Sequence, residues 1–331
     1  MPRESVQGVS MQAFVVGGYP RSPRVRKLLR EYERSNVDDA TLRRVVHEEE
    51  VFLLGYQLGA GLTILSDPVL EWHDILRPFA TSWRGVAVDG LLRFFDNNFF
   101  YRVPIFVERP SPSQPVLAPR VRRLIEHVPS NAMLKVVVPG PVTFVKLSKL
   151  VEGLRFEDIV EDVARLLRDE LAKAIDAGAK VVEIDEPWLC DVDAARSDAE
   201  LVRELFNKYF ADLPVLKILA LYYAVPRKEV VEPLTDAKSD FVAVSIADDL
   251  RKGKELLANV CLEGVAVGAI NARDIYIDKE SDVETVIKEV VRQCSPKRIA
   301  LTTSGWLDLI PYGYALEKTR ILASIANRIQ I

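Results

Sequence analysis

Met133-Leu134-Lys135-Val136-Val137-Val138 is a nearly unbroken apolar run, interrupted by one lysine and ended abruptly by Pro139-Gly140-Pro141-Val142-Thr143. A strand wet on one face alternates apolar and polar residues. A β-branched run without alternation marks a strand buried on both faces, as in a parallel sheet covered by helices. Seven further runs share this character: Gln12 to Gly17, Leu62 to Ser66, Ala179 to Asp185, Val215 to Leu221, Asp240 to Ser245, Gly264 to Ile270 and Arg298 to Thr303. Between them lie segments with helical spacing, such as Pro23 to Ser35, Phe156 to Ala177, Asp282 to Cys294 and Ala315 to Ile329. Strand–helix alternation predicts βα units, and eight parallel strands are the number that closes a barrel. The expected fold is therefore α/β, a single (βα)8 TIM barrel spanning residues 1–331, with a polar tail over 1–11.

One connection departs from the rhythm. Between Ser66 and Met133 the sequence predicts a helix around Glu71–Phe79, then an aromatic segment, Leu91 to Val107, then a proline-rich stretch, Pro110 to Pro119. Connections this long carry structure or function of their own. Leu91 to Phe106 reads as a hairpin turning at Asn97–Asn98, within a lid-like insertion over 84–120 after the second strand.

The bulk numbers are those of an ordinary globular chain: 331 residues, 49% hydrophobic, 28% charged, net charge -4, pI about 5.7 and mean hydropathy +0.06. That balance argues against nucleic acid as a partner. No apolar run is long enough to span a bilayer, and Met1 to Met11 lacks the core of a secretory signal, so a membrane role is not expected and a cytoplasmic location is. Three cysteines (Cys190, Cys261, Cys294) read as reduced thiols rather than a disulfide framework. Few Cys and Met with many charges lean towards a thermophile.

Barrel chemistry sits at the C-terminal ends of strands. After the first strand, Gly17 and Gly18 allow close backbone approach to a ligand, and Arg24, Arg26 and Lys27 open the next helix. The plain alternative is a tight turn with a solvated basic face. Asp67 after the second strand fits an ammonium holder or an N-cap. Arg93 and Asp96 sit in the aromatic lid. Asp185-Glu186-Pro187-Trp188 follows the fourth strand; adjacent carboxylates there suit ligand binding or a salt bridge. Asn271, Arg273 and Ser304 follow the seventh and eighth strands.

In order, these motifs resemble cobalamin-independent methionine synthase. Val16-Gly17-Gly18-Tyr19-Pro20 is similar to that family's opening, Arg93-Phe94-Phe95-Asp96-Asn97-Asn98 to its lid motif, and Pro139-Gly140-Pro141-Val142-Thr143 and Ile184-Asp185-Glu186-Pro187 to two strand-end signatures. The resemblance runs from about Phe14 to Ala326 and mixes features of the family's two barrels. It implies methyl transfer from a methyl-pterin, folate-like donor to homocysteine. It also implies a zinc site of one His, two Cys and one Glu that holds the homocysteine thiolate, since a free thiol has a pKa of about 8.5.

Here the fifth strand ends Leu221-Tyr222-Tyr223, Ser245 stands in place of the glutamate, and Ser304 in place of a cysteine. Neutral hydroxyls are poor zinc ligands. Cys190 is the only cysteine expected near the mouth, and His47, His73 and His127 are not placed to replace the missing ligands. The expectation is that this chain binds no metal, and that zinc sits on a separate catalytic barrel acting as its partner. Gly17, Gly18, Asp67, Asp185, Glu186, Trp188, Asn271, Arg273 and Ser304 would then touch substrate, and Arg26, Lys27, Arg93 and Asp96 the pterin or its anionic tail. Two alternatives stay open: a self-sufficient S-methyltransferase, and a decarboxylase-type barrel whose Arg24, Arg26, Arg93, Arg273 and Asp185 engage a polycarboxylate.

Overall fold

A computed structural model describes residues 11–329. The expected polar tail falls outside them, apart from Met11. Among the described residues there are eleven strands: β1 (Gln12–Phe14), β2 (Ile64–Ser66), β3 (Trp83–Arg93), β4 (Phe100–Pro112), β5 (Met133–Pro139), β6 (Lys149–Leu150), β7 (Val181–Asp185), β8 (Leu216–Leu221), β9 (Phe241–Ser245), β10 (Gly264–Ile270) and β11 (Arg298–Thr303). Eight form one sheet in the order β1-β11-β10-β9-β8-β7-β5-β2, and each of its seven ladders is parallel. The result is a nearly closed TIM-like barrel built from the eight runs read in the sequence.

The remaining junction, β1 against β2, carries no strand ladder among the described residues. In β2, alternate residues face β5, so Ile64 and Ser66 turn their backbone groups the other way. The buried amide of Gln57 reaches in from the helix Asp39–Ala60. Its Nε2 donates to Ser66 O at 2.9 Å, and its Oε1 accepts from Ser66 N at 2.8 Å. The Ser66 hydroxyl then donates to Val15 O at 2.7 Å. Side chains thus close the seam.

The insertion is longer than the hairpin read in the sequence. β3 and β4 pair antiparallel around a turn at residues 94–99, and β6 adds to β4, making a second, three-stranded sheet. The helix expected around Glu71–Phe79 is present only as Arg77–Ser82. Asp74 is the reason: its Oδ1 accepts from Leu76 N at 2.9 Å and Arg77 N at 2.7 Å, so the helix begins after it.

The cysteine reading is corrected. Cys261 and Cys294 form a disulfide, and Cys190 is free. An odd count hid one pair. Cys261 lies just before β10, and Cys294 ends the helix Glu280–Cys294 that returns to the same end of the barrel. The bond closes a loop with a sequence separation of 33 residues, a constraint worth roughly 2–4 kcal/mol against unfolding. Among the described residues no helix is long and apolar enough to cross a membrane.

Candidate functional site

Parallel strands put alternate residues into the barrel interior. Lys135 on β5 and Glu183 on β7 meet there, Nζ to Oε2 at 2.7 Å, both almost wholly buried. Glu183 Oε1 accepts from Gly17 N, across the barrel, at 2.5 Å. Two residues on, Asp185 Oδ2 accepts from Tyr222 OH at 2.7 Å and from Trp306 Nε1 at 2.8 Å. Asp185 Oδ1 is buried without a partner. Burial, then the neighbouring Glu183, pushes the Asp185 carboxyl well above its usual range.

Gly17 is needed here for shape. Its φ is +63°, and a Cβ would lie 1.9 Å from the Trp306 indole. A Cβ on Gly18 would fall 2.4 Å from Val69. Both glycines therefore make room for the protein's own chain, with Trp306 lying over Asp185.

Glu186 turns outward and accepts from Val142 N at 3.0 Å and Thr143 N at 2.7 Å. Desolvation outweighs these bonds and pushes its carboxyl up to about 7. A carboxyl held protonated by the fold stabilises it below the unfolded value, and that contribution is lost as pH rises through the folded value. For Glu186 the difference is worth roughly 3 kcal/mol. The melting temperature should fall from about pH 4.5 to about pH 7, and Glu186→Gln should reduce that slope. His47 and His73, lowered mainly by burial, act in the opposite sense but only below their usual range. Thermal denaturation of both proteins across that interval is the check; identical slopes would refute it.

The other residues singled out in the sequence are held in separate arrangements. Asp67 is engaged by Arg120 through both oxygens, at 2.7 and 3.1 Å, and its Oδ1 also accepts from Val69 N. Trp188 packs outside the mouth: its Nε1 donates to Asp198 at 2.9 Å and Lys146 lies 5.1 Å from its ring. Arg273 pins the lid to the rim, donating to Tyr223 O at 2.6 Å and to the main-chain oxygen of Asp96 at 3.0 Å. The Asp96 carboxylate is exposed and pairs with Arg93 at 3.5 Å. Phe94 meets Tyr223 edge-to-face, and both Phe95 and Tyr223 hold positive φ at this contact. Asn271 Oδ1 accepts from Arg273 N, and Ser304 Oγ from Ala272 N. Arg26 and Lys27 are exposed on the helix Pro23–Glu33.

A cavity of about 380 Å³ opens beside Trp306. Tyr19, Arg21, Arg26, Trp72, Phe99 and Asp308 are among its walls. Only Arg26 of these had been singled out in the sequence. Tyr19, Arg21, Trp72 and Asp308 follow β1, β2 and β11, and Phe99 ends the turn between β3 and β4, where no periodicity announces what a side chain faces. A signal existed for Asp308: a lone acid in the apolar stretch Gly305-Trp306-Leu307-Asp308-Leu309-Ile310.

The strand ends do not fit zinc. Tyr222 is committed to Asp185, Ser304 to a backbone amide, and Ser245 Oγ is buried without a partner. Burial pushes the Cys190 thiol up to about 12, away from the thiolate a metal needs. Among the described residues no group of three or more His, Cys, Asp or Glu side chains is arranged to hold a metal ion.

Residues 83–295 match the family described as "Cobalamin-independent synthase, N-terminal domain". A protein of Sulfurisphaera tokodaii named methionine synthase is 23% identical over 305 residues, covering 92% of this chain and 88% of its own. One of the same name from Saccharolobus islandicus is 23% identical over 306 residues, 92% and 90% of the two chains. Among solved structures, a B12-independent methionine synthase from Shewanella sp. W3-18-1, in complex with selenomethionine, superposes with a TM-score of 0.77 at 16% identity, covering 96% of this chain and 97% of that one. At that identity the likeness speaks for the fold.

Proposed function

Because the chain belongs to the cobalamin-independent synthase family, we propose that it serves methionine biosynthesis as the ligand-binding barrel of a methyl-transfer pair. It holds a methyl-pterin, folate-like donor by its ring and anionic tail, and a separate zinc-bearing barrel activates homocysteine. The observation that carries this reading is the mouth itself. Where a thiolate-binding metal centre needs anionic donors there are Tyr222, Ser245 and Ser304, with Trp306 over Asp185. Beside them lies a cavity with aromatic walls and cations, the composition suited to a flat ring with a charged tail.

In this role Arg26 and Lys27 on one rim and Arg93 on the lid attract the tail carboxylates, and Arg273 keeps the lid seated through Asp96. Exposed cations give modest, salt-screened attraction. Arg93→Ala should weaken binding of a polyglutamylated pterin about three- to fivefold at low salt, and less at high salt. Calorimetric titration is the check. Unchanged affinity at low salt would remove Arg93 from the tail site.

A second reading is favoured by the relatives. Two proteins named methionine synthase are covered by this chain over 88% and 90% of their own length, so they too are of single-barrel size. On that reading the chain methylates homocysteine alone. Assay of the purified chain with a methyl-pterin and homocysteine separates the two. Methionine formed without a second protein, with stoichiometric zinc in the sample, would overturn the two-chain proposal.

A further inference from the structure

The cavity beside Trp306 can be read for the chemistry of its occupant by asking which wall atoms are already spoken for. The Tyr19 hydroxyl shares a 3.0 Å hydrogen bond with Thr319, the Tyr312 hydroxyl donates to Glu49 at 2.5 Å, and Trp306 Nε1 donates to Asp185. These three residues therefore offer the cavity ring surface and no polar atom. Arg21 is anchored through Nε to Leu70 O at 2.7 Å and through Nη2 to Trp72 O at 2.6 Å. Among the described residues its Nη1 makes no hydrogen bond. Asp308 Oδ1 is shielded from solvent and has no partner. A shielded acceptor without a donor is costly in a finished structure and marks a place for something absent from it.

The cavity thus presents aromatic faces, the shielded unmet acceptor of Asp308, the His73 imidazole, and cations at Arg21 and Arg26. Its complement is a flat ring with N–H donors on one edge and an anionic extension elsewhere. Val69, which also lines the cavity, holds φ +47°, a conformation costly for a β-branched residue and typical of ligand sites.

We propose that this cavity receives the bicyclic head of the methyl donor edge-on to Asp308, whose Oδ1 accepts from the adjacent N–H groups of a 2-amino-4-oxopteridine, leaving Arg21 and Arg26 to its anionic chain. The inference rests on the pterin reading above and adds to it the end of the ligand that lies inside and the group that recognises it. Tyr19, Trp72, Trp306 and Tyr312 exclude water and stack or abut the ring. Burial, opposed by Arg21, pushes the Asp308 carboxyl up to about 7. Two N–H donors from a ring would hold it in the ionised, accepting form.

The test separates head from tail. Two probes are titrated into the full chain: 6-methylpterin, which has the ring and no tail, and p-aminobenzoyl-triglutamate, which has the tail and no ring. Wild type should bind both, and 6-methylpterin fluorescence should be quenched on stacking. Asp308→Asn, isosteric but with an amide donor facing the ring edge, should weaken 6-methylpterin about tenfold and leave the tail probe within about twofold. Its melting curve reports whether it folds. The wild-type quenching experiment stands independently of that variant. Binding of the tail probe without the ring probe would sink this inference and leave the tail site standing, and binding of neither would sink both. Displacement of 6-methylpterin by L-methionine at comparable concentration would instead assign the cavity to an amino acid and overturn the proposal.

Discussion

Arg120→Met should destabilise the fold by about 3–5 kcal/mol. The Arg120 guanidinium is buried among three carboxylates. Nη2 reaches Glu50 Oε1 and Asp67 Oδ1, each at 2.7 Å; Nε reaches Asp67 Oδ2 at 3.1 Å; Nη1 reaches Glu71 Oε2 at 2.6 Å. Glu50 and Asp67 are 0% and 1% exposed. Methionine would fill much of the space, leaving buried Asp67 without a cation and buried Glu50 with only Arg123, 3.9 Å away. Burial already pushes Glu50 upward with Arg120 in place. The arginine also joins three segments that are distant in sequence: the helix Leu117–Leu124, the helix Asp39–Ala60 and the end of β2. Arg120→Lys should recover little, because a point charge cannot serve three acceptors as a planar fork does. Urea denaturation is the measurement. A loss below about 1 kcal/mol would show that solvent reaches these acids once the guanidinium is gone.

The second large effect is expected at the barrel centre. Lys135→Met leaves Glu183 fully buried with one hydrogen bond, from Gly17 N. The loss should again be about 3–5 kcal/mol. The double variant Lys135→Met/Glu183→Gln should recover at least half of it. The introduced carboxamide would keep an acceptor for Gly17 N and remove the unpaired charge. A double-mutant cycle from the four urea curves gives the coupling directly. If the double variant is no better than Lys135→Met alone, shape rather than charge dominates the site.

These two clusters also mark where the sequence is legible and where it is not. All eight barrel strands announce themselves, because a strand buried on both faces must be apolar along its length. The helix Asp39–Ala60 does not. Its inner face carries Glu49, Glu50 and Gln57 beside Val46, Leu53 and Leu54, which blurs the apolar stripe. Those polar residues become intelligible only beside Arg120, Tyr312 and Ser66. Lys135 is visible as an interruption in an apolar run, but its partner is 48 residues away and the register of β5 against β7 brings them together. Glu183 and Asp185, two apart on one strand, were the available hint that a charged layer fills the interior. At the mouth, Arg26, Arg93, Arg273 and Asp185 stand out as charges beside glycines and prolines. Arg21 and Trp72 lie in loops and Asp308 in a single turn of 3-10 helix, where sequence spacing carries no information about facing. The disulfide was missed because an odd cysteine count masks a single pair.

The junction between the first two staves has a consequence for how this cylinder comes apart. Seven of its joints are laced by main-chain bonds and must loosen cooperatively. The eighth is crossed by one hydroxyl, Ser66 to Val15 O, while the Gln57 carboxamide holds only the β2 side, and it should part more readily than the rest. Fluctuations that admit solvent should start at this stave, and β1, laced on one flank by β11 alone, should be the first strand to peel away on warming.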